Sequence, residues 1–213
     1  MDDTRSLIRQ FVTGAYALDV SSLHQEQMID LLRPLLDGSP VVQEHFKHSI
    51  RVGLLAAKIA NFCHHHGRTL FIAGTLHDVG KCEIPIEVLE KTVNWTVGDA
   101  AVMEHHVIAG YNKLRGHFDF SAEIILWHHK FQHNEYPETL PPHLHQYSAA
   151  TVVLIAEYGR LLALTDSYDA LHRPNDKFDG VMSGDRIKAL MLEHNPDRTI
   201  LIERLYQAGI FTT

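Results

Sequence analysis

Apolar residues recur every three or four positions along most of this chain, the spacing of one face of an α-helix, and no stretch shows a convincing strand alternation. The clearest stripe is Phe46, Ile50, Leu54, Leu55, Ile59 and Phe62. It marks a long helix that Ser39 caps, with Pro40 in the first turn, where a missing N–H has no partner to lose. That helix is expected to end near Gly67. Looser helical patterns over 3–18 and 22–36 precede it, set apart by Gly38-Ser39-Pro40. Beyond it the pattern predicts a short helix over 69–79 stopped at Gly80, then a helix over 97–114 opened by a Thr96/Asp99 capping box. The next helix starts at Asp119 or Ser121 and runs through AEIILWHH. After the proline-rich loop NEYPETLPPHLHQ, Ser148 opens a long helix to residue 171, and helices over 184–194 and 196–208 follow. With no internal repeat and no low-complexity tract, the expected fold class is all-α, a single helical bundle.

Composition narrows the functional classes. A chain of 213 residues with 45% hydrophobic content can bury one substantial core. The formal charge of −7 argues against a broad surface for long nucleic acid, and leaves room for a small anionic substrate if the balance reverses locally. The start, MDDTRSLIRQ, lacks the apolar run of a signal peptide, and the most apolar stretch is interrupted by Glu157 and Arg160, so no membrane partner is expected. Cys63 and Cys82 form neither a disulfide framework nor a CxxC pair; a reducing, cytoplasmic setting is expected. The unusual number is 17 histidines, spread through the chain rather than clustered as in a tag. Histidine is the commonest metal ligand, so this excess directs attention to a site.

In EHFKH, Glu44 and His48 stand four apart on one helix face, a spacing that lets a carboxylate and an imidazole reach one ion. In TLHDVGKCEIP, His77 and Asp78 adjoin at a helix end, followed by Lys81, and the two oxygens of Asp78 suit it to bridge two ions. His106 in MEHHVIAGY precedes Gly110 by four, a glycine that lets another backbone come close. His128 and His129 form a second adjacent pair, and Asp166 sits deep in an apolar helix where an unpaired carboxylate would be costly. Taken singly, each reads as a buried, hydrogen-bonded polar residue; together they point to a metal centre. Asp169 is expected to be a hydrogen-bonding partner that orients a neighbouring helix, and His64-His65-His66 to be structural or solvent-facing near a helix end.

In this order, EHFKH, HDVGK, HHVIAG, WHHK and ALTDSYDALHRP resemble the HD-domain superfamily of metal-dependent phosphohydrolases, most closely its HD-GYP subgroup, whose members hydrolyse cyclic di-GMP. The resemblance covers residues 44–174, with a similar helical tail to 208. It implies an HD domain over 39–213, with residues 1–38 a helical extension packed into the same globular unit. Carried over by position, Glu44, His48, His77, Asp78, His106, His128, His129 and Asp166 would be metal ligands for two or three divalent ions. Iron or manganese is favoured, with zinc, nickel or magnesium as the other candidates. Asp78 and Lys81 would be catalytic, and Lys81, Arg160, Arg173 and Tyr136 would meet the substrate. The reaction would be attack on phosphorus by water activated between the ions, with Lys81 binding phosphate and donating a proton to the leaving oxygen. Three carboxylates contribute about −3, so two divalent ions would leave the cluster near +1 and three near +3, which turns it into an anion site.

The loop after the paired histidines departs from the subgroup. Lys130 stands where the pattern has a glutamate, both glycines are missing, and Glu135 precedes Tyr136-Pro137. The expected substrate is therefore a small phosphorylated molecule, with cyclic di-GMP first and another cyclic dinucleotide or nucleotide phosphate next. A di-iron oxygenase and a non-catalytic nucleotide-binding signalling module are the alternatives. A second copy of the chain or a sensory protein is the expected partner.

Overall fold

The computed structural model describes residues 2–131, 135–173 and 182–212. Residues 132–134 of the altered loop and Pro174 lie outside them. Among the described residues the fold is all-α, without strands. In chain order the helices are α1 (Asp2–Ala17), α2 (Ser22–Leu36), α3 (Pro40–Phe62), α4 (Gly67–Leu76), α5 (Ile86–Leu89), α6 (Val97–Leu114), α7 (Asp119–Ile125), α8 (Ala149–Leu171), α9 (Gly184–His194) and α10 (Thr199–Gln207). Tight 3-10 segments cover Val79–Glu83 and Pro196–Arg198. No described helix is long and apolar enough to cross a membrane.

The long helices begin where their caps stand. Ser39 accepts from the Val42 amide, Ser148 from the Thr151 amide, and Thr96 and Asp99 form a reciprocal capping box at the start of α6. Three ends differ from expectation. Helix α3 stops at Phe62 because His64 takes a left-handed conformation (φ 58°), and the His65 amide then bonds to the Ala60 carbonyl. This is a Schellman closure with histidine where glycine is usual, at a conformational cost of about 1–2 kcal/mol. Gly67 opens the next helix rather than ending this one. Helix α4 gives way at His77 to the 3-10 segment, and α7 ends at Ile125, so the paired histidines follow it on a turn of i→i+3 bonds.

Helices α3, α4 and α8 make the centre of the core. Phe46, Ile50, Ile59, Leu70, Phe71, Leu76, Leu161 and Leu164 are buried there in one apolar cluster. Gly53 of α3 lies against Phe71 and Thr75 of α4, where a Cβ would have no room, so the two helices pack at close range. Helices α1 and α2 join the same cluster through Leu7, Phe11, Met28 and Leu32, with Phe11 stacked on Phe71 at 5.4 Å. One end of this centre carries the polar residues described next.

Candidate metal centre

Five segments converge on one buried polar pocket. His48 comes from α3, His77 and Asp78 from the end of α4, His106 from α6, His128 and His129 from the turn after α7, and Asp166 from α8. His48, His77, Asp78, His106 and His128 are almost wholly buried, and Asp166 nearly so. The turn that holds His77 and Asp78 reaches α6 through Gly80, where a Cβ would run into the His106 carbonyl. Gly110 stands across from it: a Cβ there would lie 3.3 Å from the Gly80 amide nitrogen. The glycine pair thus sets the distance between the two halves of the pocket.

The backbone orients the rings. Nδ1 of His77 donates to the Gly74 carbonyl at 2.7 Å, Nδ1 of His106 to the Met103 carbonyl at 2.6 Å, and Nδ1 of His128 to the Ile125 carbonyl. Gly74 and Ile125 belong to the last turns of their helices, whose carbonyls have no partner within the helix. Nδ1 of His48 donates instead to Asp169 at 2.7 Å. Carbonyls and carboxylates only accept, so in each neutral ring the proton is on Nδ1 and Nε2 carries a lone pair into the pocket.

Those lone pairs have no hydrogen-bond donor to meet. Nε2 of His106 lies 3.4 Å from Nε2 of His128. Nε2 of His48 lies 3.0 Å from Asp166 Oδ1, yet it and Nε2 of His77 are buried without a hydrogen-bond partner. Short separations between acceptors, with no proton directed along them, are the mark of groups aimed at a common cation. Among the described residues two sets meet the distance requirement, His48–His77–Asp78 and His106–His128–His129, with donor atoms in each within 4.8 Å of one another. Asp78 joins the sets: its Oδ2 is 3.3 Å from His77 Nε2 and 3.6 Å from His48 Nε2, and its Oδ1 is 3.3 Å from His106 Nε2. Nitrogen and carboxylate donors of this kind suit zinc, iron and manganese alike.

Electrostatics agree with a cation-binding pocket. Burial by itself would lower the His77 imidazole, but Asp78 and Asp166 outweigh it and hold it up at about 10. The two carboxylates thus favour positive charge at this point of the pocket. Burial would raise Asp78 and Asp166, yet both are held well below the usual carboxylate range, Asp78 chiefly by His77 and Lys81 and Asp166 by His48 and His77. Burial among other imidazoles lowers His128, and burial with His106 nearby lowers His129 to about 3, leaving both neutral and free to ligate.

A family model described as the HD domain matches residues 45–171, more than half of the chain. The chain belongs to the HD-domain family. A cyclic di-GMP phosphodiesterase of Vibrio cholerae serotype O1 is 34% identical in an alignment of 134 residues that covers 58% of this chain and 25% of that protein. The HD-domain chain thus spans about a quarter of that relative's length.

The remaining expected residues divide. Lys81 Nζ bonds Asp78 Oδ2 at 2.6 Å and faces the pocket. Tyr136 stacks on His129 with ring centroids 4.3 Å apart. Arg173 reaches within 4.0 Å of Asp169. Glu44, expected as a ligand, is instead exposed and paired with Lys47, one turn nearer the N-terminal end of α3 than the buried His48. Arg160, expected at the substrate, is buried against Asp197 and Asn195 and lies over the Phe131 ring; it ties α8 to the Pro196–Arg198 segment.

Three residues were not singled out by sequence reasoning. His45 is largely buried beside Lys81, Asp78 and Arg173, and burial lowers it to about 3. Its place three before His48 on the same helix was the available signal. Arg51, three after His48, bonds Asp169 through two nitrogens. Glu123 is a buried acid in an apolar run, like Asp166, but its partners are His143 and the Leu144 amide, so it anchors a loop and not the pocket.

Proposed function

We propose that this HD-domain chain is a metal-dependent phosphodiesterase that opens a cyclic dinucleotide, cyclic di-GMP before others. The observation that carries the reading is Asp78, which presents one oxygen to each of two histidine sets while Lys81 lies against it at the pocket. The similarity to the Vibrio cholerae cyclic di-GMP phosphodiesterase supports the substrate. Two divalent ions, one at His48–His77–Asp78 and one at His106–His128–His129, are the expected complement, with iron or manganese favoured. Such ions, when bound, polarise phosphoryl oxygens and make water nucleophilic near neutral pH.

The chain's own groups do the rest. Lys81 would exchange its bond to Asp78 for a phosphate oxygen and sit close enough to the leaving oxygen to return a proton. Tyr136, laid over His129, offers an aromatic wall on one side of the pocket. Lys130 bonds the Pro137 carbonyl at 3.1 Å and lies 3.3 Å from Glu135, so the residue that replaces the subgroup's acid closes the loop carrying Tyr136 onto the histidine turn. That local closure supports a substrate approach that differs in detail from the subgroup's.

The test is turnover. Protein loaded with Mn²⁺ or Fe²⁺ under anaerobic conditions is incubated with cyclic di-GMP, other cyclic dinucleotides and simple phosphodiesters, and products are separated chromatographically. Conversion of cyclic di-GMP to its opened linear dinucleotide is expected. Tight binding without turnover of any phosphodiester, or consumption of O₂ in place of hydrolysis, would overturn the reading.

A further inference from the structure

Of the four pocket histidines whose Nδ1 is fixed, His77, His106 and His128 donate to backbone carbonyls and His48 does not. His48 donates to the carboxylate of Asp169 at 2.7 Å. That carboxylate is itself held by Arg51, with Nε at 2.7 Å from Oδ1 and a terminal nitrogen at 3.0 Å from Oδ2. Arg173 stands 4.0 Å from the same Oδ2. Asp169 therefore accepts on both oxygens, from Arg51 on Oδ1 and from Arg51 and His48 on Oδ2. Arg51 is a planar, donor-only fork on the same helix as His48, three residues on, and it fixes the plane in which Asp169 meets the ring.

We propose that Asp169, locked by Arg51, is a positioning residue that sets the tautomer and orientation of His48. It crosses from α8 to α3 to do so, where the other rings are set by carbonyls of their own segments. A histidine that donates to a carboxylate is also a stronger ligand through its other nitrogen. The proposal rests on reading His48–His77–Asp78 as an ion position, and it makes a distinctive demand on Arg51. In Asp169→Asn only one of the two terminal atoms can accept. Whichever way the amide turns, its N–H meets an N–H of Arg51, and the side chain relieves that opposition by giving up its fixed bond to His48. Removing the arginine frees the amide oxygen to face His48 again.

The experiment combines two readouts on metal-free protein: the His48 ring tautomer by long-range 1H–15N correlation of 15N-histidine-labelled protein, and Zn²⁺ affinity by competition with a chromophoric chelator. Wild type and Arg51→Met should both show His48 protonated on Nδ1. Asp169→Asn should show a mixed or Nε2-protonated ring and a Zn²⁺ affinity lower by about 10- to 100-fold. The double variant Arg51→Met/Asp169→Asn should recover both the tautomer and most of the affinity. A pair that served only the fold would make the double variant worse than either single change, and that result overturns the proposal. So does a wild-type His48 protonated on Nε2, a measurement that stands even if Asp169→Asn does not fold. If the tautomers behave as expected while no variant binds Zn²⁺, it is the ion-site reading that fails.

Discussion

At the scale of single residues, direction matters more than identity. His77, His106 and His128 act as ligand candidates because a carbonyl three residues earlier takes the Nδ1 proton and turns Nε2 inward. Glu44 has suitable chemistry but faces outward to Lys47. Glu44→Ala is therefore expected to leave metal stoichiometry unchanged and to alter stability by no more than about 0.5 kcal/mol, as for other exposed ion pairs. His77→Ala and Asp78→Asn should each lose bound metal and phosphodiester turnover. Elemental analysis of the three proteins beside wild type makes the comparison, and a loss of metal in Glu44→Ala would return that residue to the pocket. The histidine and aspartate types were legible from spacing along the chain. Whether α3 offered position 44 or position 45 to the pocket was not, because both lie within one turn of the inward face.

Among the elements, α6 and the turn after α4 face each other across the pocket with only glycine between them. Gly80→Ala places a methyl group against the His106 carbonyl, and overpacking of this sort costs about 1–3 kcal/mol. Because the contact divides the two histidine sets, the variant should also bind the second equivalent of Zn²⁺ more weakly, as a titration would show. The start of α6 allows a pH test. Lys91, then the side chain and amide of Thr96, hold the Asp99 carboxylate down at about 2. A depressed carboxylate stabilises the fold above its unfolded value of about 4, and the contribution fades as pH falls toward the folded value. The difference in melting temperature between wild type and Asp99→Asn should be constant from pH 7 to pH 5 and narrow below pH 4. A gap that widened on acidification would refute the capping account. This cap was readable in the sequence since a capping box is local; the left-handed His64 that ends α3 was not, since glycine is the residue that announces such a turn.

For the whole molecule, the pocket is a cost that bound cations offset. Two buried carboxylates and several lone pairs converge among apolar helices. Ions that bind only the folded chain stabilise it by mass action, about 2.7 kcal/mol when free ion stands at 100 times its dissociation constant. Chelation of metal-loaded protein should lower the melting temperature by several degrees, and Mn²⁺ or Zn²⁺ should restore it; the same treatment of His77→Ala should have little effect. Calorimetry with and without chelator decides this. Helices α1 and α2 share the apolar cluster with α3 and α4 through Phe11, Met28 and Leu32, so this response is expected to be a single transition.

Periodicity by itself determined that the chain is helical, where the capped helices begin, and that histidine and aspartate recur at intervals suited to a metal centre. Those are properties of neighbours in sequence, governed by local hydrogen bonds and by which side chains share a helix face. Only the tertiary structure decided that His45 and not Glu44 turns inward, that Arg160 serves the fold, and that Asp169 and Arg51 stand behind His48. These depend on the angle and distance at which distant helices meet, and close approaches such as Gly80 on His106 fix that geometry.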